Sequence, residues 1–294
     1  MSIPFTKVQG IGNDFILIDA LGSNSHFLNR DWTMITPKIC DRHFGIGADG
    51  ILIAADSNNA DAHMVIVNAD GSYSDMCGNG IRCFVKYLIE RADFKPKNRN
   101  ITVETGSGIV QVEIHMSGSI VDSVRVAMEP VVLDPETIPV LNAQSSPDIH
   151  HTLQINNTTY DLACIGMGNP HAVLFIDMPI DDFPLTDIGP IVETHPDFPN
   201  KTNFEVANIV SPHHIKMRVW ERGVGVTLAC GSGACAVLVA ARLRGLSDKQ
   251  ATVSLPGGDL KMQWDGTNNK SEPVYMSGPA QLSFTGMLPI PDTE

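Results

Sequence analysis

Asn68-Ala-Asp-Gly-Ser-Tyr-Ser-Asp-Met-Cys77-Gly-Asn-Gly-Ile-Arg-Cys83 has an echo later in the chain, Glu221-Arg-Gly-Val-Gly-Val-Thr-Leu-Ala-Cys230-Gly-Ser-Gly-Ala-Cys235. In each copy an apolar run, Val65-Ile-Val or Met217-Arg-Val-Trp, leads to a polar residue, and a cysteine follows nine positions later. Each cysteine opens a Cys-Gly-polar-Gly tetrapeptide. After the first, Ile81, Phe84, Val85, Leu88 and Ile89 fall on one stripe of a 3.6-period helix; after the second, Ala234, Val237, Leu238 and Ala241 do the same. The pattern predicts a cysteine at the N-terminus of each of two helices. Free N–H groups and the helix dipole favour a thiolate there and lower the cysteine pKa, and the same N–H groups can hold a carboxylate.

Further landmarks repeat with nearly constant separation. Gly168-Asn169 follows Gly12-Asn13 by 156 positions, Glu221 and Cys230 follow Asn68 and Cys77 by 153, and Thr252-Val253 follows Thr102-Val103 by 150. Leu260, Met262 and Trp264 follow Val110, Val112 and Ile114 by the same 150. Ordered matches of this kind predict a duplicated domain of about 150 residues. The expected fold is α+β: two pseudo-symmetric lobes, each a mostly antiparallel sheet or barrel wrapped around a central helix. The first lobe spans residues 1–128, completed by 279–294, and the second spans 129–278. Packed about a pseudo-two-fold axis, such lobes would set Cys77 and Cys230 facing one another across a cleft.

Between these landmarks, residues 3–20 read as a strand pair broken at Gly10 to Asp14, with Asn13 in the turn. Thr33–Arg42 reads as a short helix, Gly45–Gly50 as a loop and Ile51-Leu-Ile as a strand. The helix after Cys77 runs to about Ala92. Ile101–Ile114 forms a hairpin and Ser123–Met128 another strand. The Pro-rich stretch Val131–Asp148 has little periodicity and marks the crossover between lobes.

Composition excludes several classes. A chain of 294 residues with 43% hydrophobic and 18% charged residues builds a real core. A net charge of −13 with no Lys/Arg cluster argues against nucleic acid and anionic membranes. The N-terminus lacks an apolar signal region and the apolar run Ala234–Ala241 is too short to span a bilayer, which places the protein in the cytoplasm. Six cysteines without a Cys-x-x-Cys read as free or catalytic thiols rather than a disulfide framework.

Two thiols on opposite sides of one carbon suit a particular reaction. Inverting a stereocentre requires removing a proton from one face and delivering one to the other, with one group a thiolate and its partner a thiol. Helix N-termini would stabilise the charge developing on the substrate carboxylate.

The chain also resembles the diaminopimelate epimerase family over essentially its full length. The motifs are Gly-Ile-Gly-Asn-Asp-Phe15, Asn68-Ala-Asp-Gly-Ser, Met-Cys77-Gly-Asn-Gly-Ile-Arg-Cys83, Met167-Gly-Asn-Pro-His171, Thr202-Asn203, Glu221-Arg-Gly-x-Gly-x-Thr, Ala-Cys230-Gly-Ser-Gly-Ala-Cys and Leu255-Pro-Gly-Gly. The resemblance implies cofactor-free, pyridoxal-phosphate-independent interconversion of LL- and meso-diaminopimelate, on the bacterial route to lysine and peptidoglycan. Cys77 and Cys230 would be the two bases, with His171 and Glu221 supporting the cysteines and the reacting amine. Gly78, Asn79, Gly231 and Ser232 would supply amides at the reacting carboxylate, and Asn13, Asn68, Asn169, Asn203, Glu221 and Arg222 would line the substrate site. No metal is implied, and a homodimer is expected. Gly50 stands where some members carry glutamine, and Val226 where glutamate is frequent.

Taken singly, most of these residues have plainer readings. Cys40, Cys83, Cys164 and Cys235 read as buried packing. Asn13, Asn68, Asn169 and Asn203 alone read as turn formers, His171 as a turn histidine, and Glu221-Arg222 as a solvated pair. The Gly-x-Gly runs at Gly45, Gly106 and Gly223 lack the context of a dinucleotide site. Competing functions are a proline racemase or hydroxyproline epimerase, a thiol redox or zinc protein, and a non-catalytic binding pair. The first carries His where Asn79 stands; the second prefers closer cysteine pairs with His partners; the third needs no cysteine at either helix start.

Overall fold

The computed structural model describes residues 2–96, 98–144, 149–266 and 272–289. The chain divides into two compact units, Met1–Val126 with Gly278–Glu294, and Ala127–Ser277.

The first unit opens with an antiparallel hairpin of β1 (Ser2–Gly10) and β2 (Asn13–Ala20). Its two turn residues, Ile11 and Gly12, have φ of 49° and 91°, the positive values that match the twist of the flanking strands. Glycine adopts them freely, whereas a β-branched residue is strained there; burial of the Ile11 side chain offsets that strain. Asn13, expected within the turn, is instead the first residue of β2, paired with Gly10, because a turn of this type needs only two residues.

Helix α1 (Trp32–Cys40) starts one residue before and ends two residues before the expected span Thr33–Arg42, and it is capped by Asp31, whose side chain accepts the N–H of Met34. Then come β3 (Gly50–Ala55), β4 (Ala62–Asn68), the short β5 (Tyr73–Ser74), α2 (Gly78–Glu90), β6 (Asn100–Thr105), β7 (Gly108–Ser117) and β8 (Ile120–Pro130). β2 and β3 run parallel across the α1 connection, and β4 and β6 run parallel across α2; the remaining neighbours are antiparallel. The uninterrupted apolar runs Phe15-Ile-Leu-Ile and Ile51-Leu-Ile are those of strands covered on both faces. One face packs Ile16, Ile18, Ile51 and Ile53 with Trp32 and Ile39 of α1. α2 packs on β1, β2, β3 and β4 and is buried from Gly78 to Leu88, as a helix enclosed by a sheet must be.

The second unit repeats this order. It comprises β9 (His150–Ile155), β10 (Thr158–Gly166), β11 (Pro170–Phe175), α3 (Leu185–Glu193), β12 (Asn203–Ser211), β13 (His214–Glu221), β14 (Gly225–Thr227), α4 (Gly231–Leu243), β15 (Gln250–Leu255), β16 (Gly258–Gln263) and β17 (Pro273–Gly278). β11 and β12 run parallel across α3, and β13 and β15 across α4. α3 packs Leu185, Ile188 and Val192 against Phe204 and Val206. α4 packs on β10, β11, β12, β15 and β16, with Ala234 to Ala241 entirely buried.

The outer strands of the two units come from different places in the order of the chain. β9, which precedes the rest of the second unit, pairs with β10. Its counterpart in the first unit is β18 (Gln281–Pro289), which pairs with β1 from Ser2↔Pro289 to Gln9↔Gln281. Of the Pro-rich stretch Val131–Asp148, Val132 bridges to Gly166 while Ile138 and Val140 join the second unit's core; residues 145–148, like 290–294, lie outside the described residues. Each unit is thus a mostly antiparallel sheet around a buried helix, the α+β architecture expected.

Candidate active site

Cys77 is the N-cap of α2 and Cys230 the N-cap of α4. Both have extended backbones, φ −144° and −128°, and each sulfur accepts a backbone N–H from the third helix residue, Gly80 or Gly233, at 3.3 Å. An N-cap normally uses a Ser, Thr, Asp or Asn oxygen for this; here sulfur takes the position, so the helix start orients the thiol.

In the first unit, Oδ1 of Asn13 lies 3.7 Å from the Cys77 sulfur and accepts from Nδ2 of Asn79 at 3.3 Å. Asn13 in turn donates to Asp49 at 2.7 Å. Asn79 and Gly78 are held from beneath by Arg82, fully buried in α2, which donates to Oδ1 of Asn79 at 2.8 Å and to the carbonyl of Gly78 at 3.0 Å. Behind Asn13, Asp14 pairs with Lys7 at 2.5 Å and with Arg42 at 2.6 Å, and Arg42 also reaches Asp49. Burial would raise the Asp14 carboxyl, but hydrogen bonds from Arg42 and Lys7 outweigh it and hold the group below the usual carboxylate range. Asn68 ends β4, where it accepts from Gly71 N–H and donates to the Ser72 hydroxyl at 3.0 Å.

In the second unit, His171 lies fully buried between Glu205 and Asn169. Nδ1 is 2.7 Å from Oε1 of Glu205, and Nε2 is 2.7 Å from Oδ1 of Asn169. Asn203 donates to the Pro170 carbonyl at 2.9 Å and accepts the backbone N–H of Arg222 at 2.9 Å, while the Arg222 guanidinium donates to the Asn200 carbonyl. Glu221, at the end of β13, accepts from Thr227. The Ser232 hydroxyl lies 3.6 Å from the Cys230 sulfur.

The helix start was expected to lower both thiols. Cys230 departs from that: burial, and then the charges of Glu221 and Glu205, push it well above its ordinary value against the weaker pull of Ser232 and Gly233. Desolvation in a buried site outweighs two hydrogen bonds. Burial also pushes Cys40 and Cys83 up to about 12, which suits packing roles. None of the six cysteines is joined in a disulfide.

The structure therefore groups Asn13, Cys77, Gly78 and Asn79 in one unit and Asn169, His171, Asn203, Glu221, Arg222, Cys230, Gly231 and Ser232 in the other. The side chain of Asn68 donates to Ser72. Sequence reading overlooked Arg82, the Lys7–Asp14–Arg42–Asp49 network and Glu205. Glu205 was marked by one signal: a lone carboxylate in the apolar strand Phe204-Glu-Val-Ala207, 153 positions after Leu52. Gly50, where the family resemblance implies glutamine in some members, approaches Val67 so closely that a Cβ there would sit 2.6 Å from the Val67 carbonyl. Among the described residues, no group of three or more His, Cys, Asp or Glu is arranged to hold a metal.

A family model described as Diaminopimelate epimerase matches residues 5–133 and 163–283. A diaminopimelate epimerase of Heliobacterium modesticaldum is 43% identical over 288 residues, covering 97% of this chain and 99% of its own. Diaminopimelate epimerase 1 of Nostoc is 43% identical over 290 residues, covering 98% and 100%. Among solved structures, a hydroxyproline epimerase from Agrobacterium vitis superposes with a TM-score of 0.70 at 15% identity, covering 98% of this chain and 92% of that one. A Bacillus anthracis phenazine biosynthesis protein of the PhzF family also reaches 0.70 at 15% identity, covering 99% and 100%. At such identity these two establish the shared fold alone.

Proposed function

The chain belongs to the diaminopimelate epimerase family, and we propose that it interconverts LL-2,6-diaminopimelate and meso-diaminopimelate, in the supply of lysine and peptidoglycan precursors, without a cofactor. The observation that carries this reading is the matched pair of helix-capping thiols, Cys77 and Cys230, one per unit, each oriented by a glycine N–H at 3.3 Å.

In this reading one sulfur removes the α-proton while the other delivers a proton to the opposite face. The amides of Gly78 and Asn79 and of Gly231 and Ser232, at the positive ends of α2 and α4, stabilise the carboxylate as negative charge spreads onto it. Glu221 and His171 support Cys230 and the reacting amine. Asn13, Asn68, Asn169, Asn203 and Arg222 bind the two charged ends of the substrate; Asn203 orients Arg222 through the backbone N–H it accepts. A free small-molecule substrate fits a net charge of −13 better than nucleic acid or an anionic membrane does. No helix among the described residues is long and apolar enough to cross a membrane. We read the protein as a cytoplasmic homodimer, which sedimentation at micromolar concentration tests.

Incubation with LL-diaminopimelate in deuterium oxide is the decisive experiment. The expected result is meso product carrying one solvent deuteron at the inverted α-carbon. Failure to exchange that proton, or equally efficient racemisation of proline, would overturn the assignment.

A further inference from the structure

The two thiols occupy matching positions, but their surroundings differ at two points that the internal repeat makes comparable. A Cβ built on Gly80 would lie 3.2 Å from Cδ2 of Leu52 and 3.5 Å from the Cys77 sulfur; one built on Gly233 would lie 2.7 Å from Oε1 of Glu205 and 3.2 Å from the Cys230 sulfur. The glycine of each first helical turn is thus wedged between the thiol and a strand side chain. That side chain is Leu52 in the first unit and Glu205 in the second. The residue facing Gly50 across the parallel pair is Phe15, and the one facing Asn203 is His171. Leu52 and Phe15 of the first unit thus have as their counterparts in the second a carboxylate, Glu205, and the imidazole bonded to it, His171.

Glu205 is fully buried; Oε1 contacts His171, and Oε2 accepts no hydrogen bond among the described residues. Burying a carboxylate with one oxygen unsatisfied is costly, and a leucine at the matching position avoids that cost. Nδ1 of His171 lies 2.7 Å from Oε1 of Glu205 and Nε2 lies 2.7 Å from Oδ1 of Asn169, so the ring is held at both nitrogens. The charged and titratable side chains turned toward this corner are Glu205 from β12, His171 from β11 and Glu221 from the end of β13, with the Ser232 hydroxyl from α4 itself. β10, β15 and β16, also packed on α4, present buried apolar residues such as Ile165, Val253 and Met262.

We propose that Glu205 is a positioning residue which, through its place beside Gly233 and its bond to His171, keeps the proton on Cys230 and so makes Cys230 the donor thiol and Cys77 the acceptor thiolate of the resting enzyme. The inference rests on the two-thiol reading above and adds a direction to it: the duplicated site is biased before substrate arrives. The direction of the Cys230 shift, to which Glu205 contributes, agrees with this.

NMR of protein carrying isotopically labelled cysteine, titrated without substrate and assigned with Cys77→Ser and Cys230→Ser, tests the proposal. In the unaltered protein Cys230 is expected to ionise at higher pH than Cys77; the reverse order overturns the proposal whether or not any variant folds. Glu205→Gln keeps the acceptor for His171 and removes the charge, and is expected to lower the Cys230 midpoint by about one pH unit while leaving Cys77 unmoved. Glu205→Asp, which keeps the charge, is expected to restore most of the difference. An unchanged Cys230 midpoint in Glu205→Gln overturns the role of Glu205. These titrations use no diaminopimelate, so an inactive protein with the expected midpoints refutes the substrate assignment alone, and an active one with unmoved midpoints refutes the Glu205 assignment alone.

Discussion

Gly80 donates its backbone N–H to the sulfur of Cys77 at 3.3 Å, so the atom that caps α2 is also the one proposed to transfer the proton. A serine hydroxyl would cap the helix at least as well, which separates chemistry from stability. Cys77→Ser and Cys230→Ser are each expected to unfold within about 1 kcal/mol of the parent. Each is also expected to lower the epimerisation rate by roughly 100-fold or more. Chiral chromatography of the product reads the rate. A double variant with near-parental turnover would contradict the two-base mechanism.

Replacing the wedged glycines tests the packing around the thiols. Alanine at either position gains up to about 1 kcal/mol of helix propensity. At Gly233 the new methyl meets Glu205 at 2.7 Å, whereas at Gly80 it meets Leu52 and the Cys77 side chain at 3.2 Å and beyond. Gly233→Ala should therefore lose about 1–3 kcal/mol in urea unfolding and Gly80→Ala distinctly less. Equal losses would show that the carboxylate yields as readily as the leucine.

Introducing glutamine at Gly50, as the family resemblance suggests, should fail here. Gly50→Gln forces a Cβ to within 2.6 Å of the Val67 carbonyl, a backbone atom fixed by the β3–β4 pairing. A loss of about 1–3 kcal/mol is expected, read as a lower midpoint in thermal unfolding. A gain in stability would mean that the strands separate without cost.

The Asp14 network predicts a pH dependence of stability. A carboxyl held below its ordinary range stabilises the fold above about pH 4, where the unfolded chain's carboxyl is ionised, and that contribution is lost as pH falls through the folded value. Asp14→Asn should thus cost about 1–2 kcal/mol at neutral pH, partly because Lys7 is left buried without its partner, and less near pH 3. Urea denaturation at the two pH values measures this; a difference from the parent that does not shrink in acid would refute it.

Arg222 tests recognition of the substrate's far end. Its guanidinium is exposed and donates to Asn200, while its backbone is tied to Asn203. Arg222→Ala is expected to lower kcat/KM for diaminopimelate by about 2–4 kcal/mol while slow α-proton exchange persists, because both thiols remain. A loss confined to kcat would place Arg222 at the reacting carbon instead.

What could be read without the structure followed the range of the interactions. Cys77, Cys230 and their helices were legible because the motif occurs twice and the helical period is local. Helix α3 and its connection were not placed, since Pro184 and Pro190 interrupt the pattern there. Glu205 and His171 are 34 positions apart and meet only through the parallel pairing of β11 with β12. No periodicity within either strand encodes that meeting. Arg82 was passed over because a charged residue on an apolar helix reads as solvated, and only enclosure by the sheet makes it an internal support for Gly78 and Asn79.

The pairing of β1 with β18 bears on how the protein emerges from the ribosome. Ser2 meets Pro289, and Gly286 lies against the Phe5 ring, so the edge of the first-made strand awaits a partner translated nearly the whole described chain later. At ordinary elongation speeds that wait lasts on the order of tens of seconds. During it the nascent N-terminal lobe carries an open strand edge of the kind that recruits other chains. Its completion waits for β18, whereas the lobe beginning with β9 has its own edge strand in hand before the strand it covers is made.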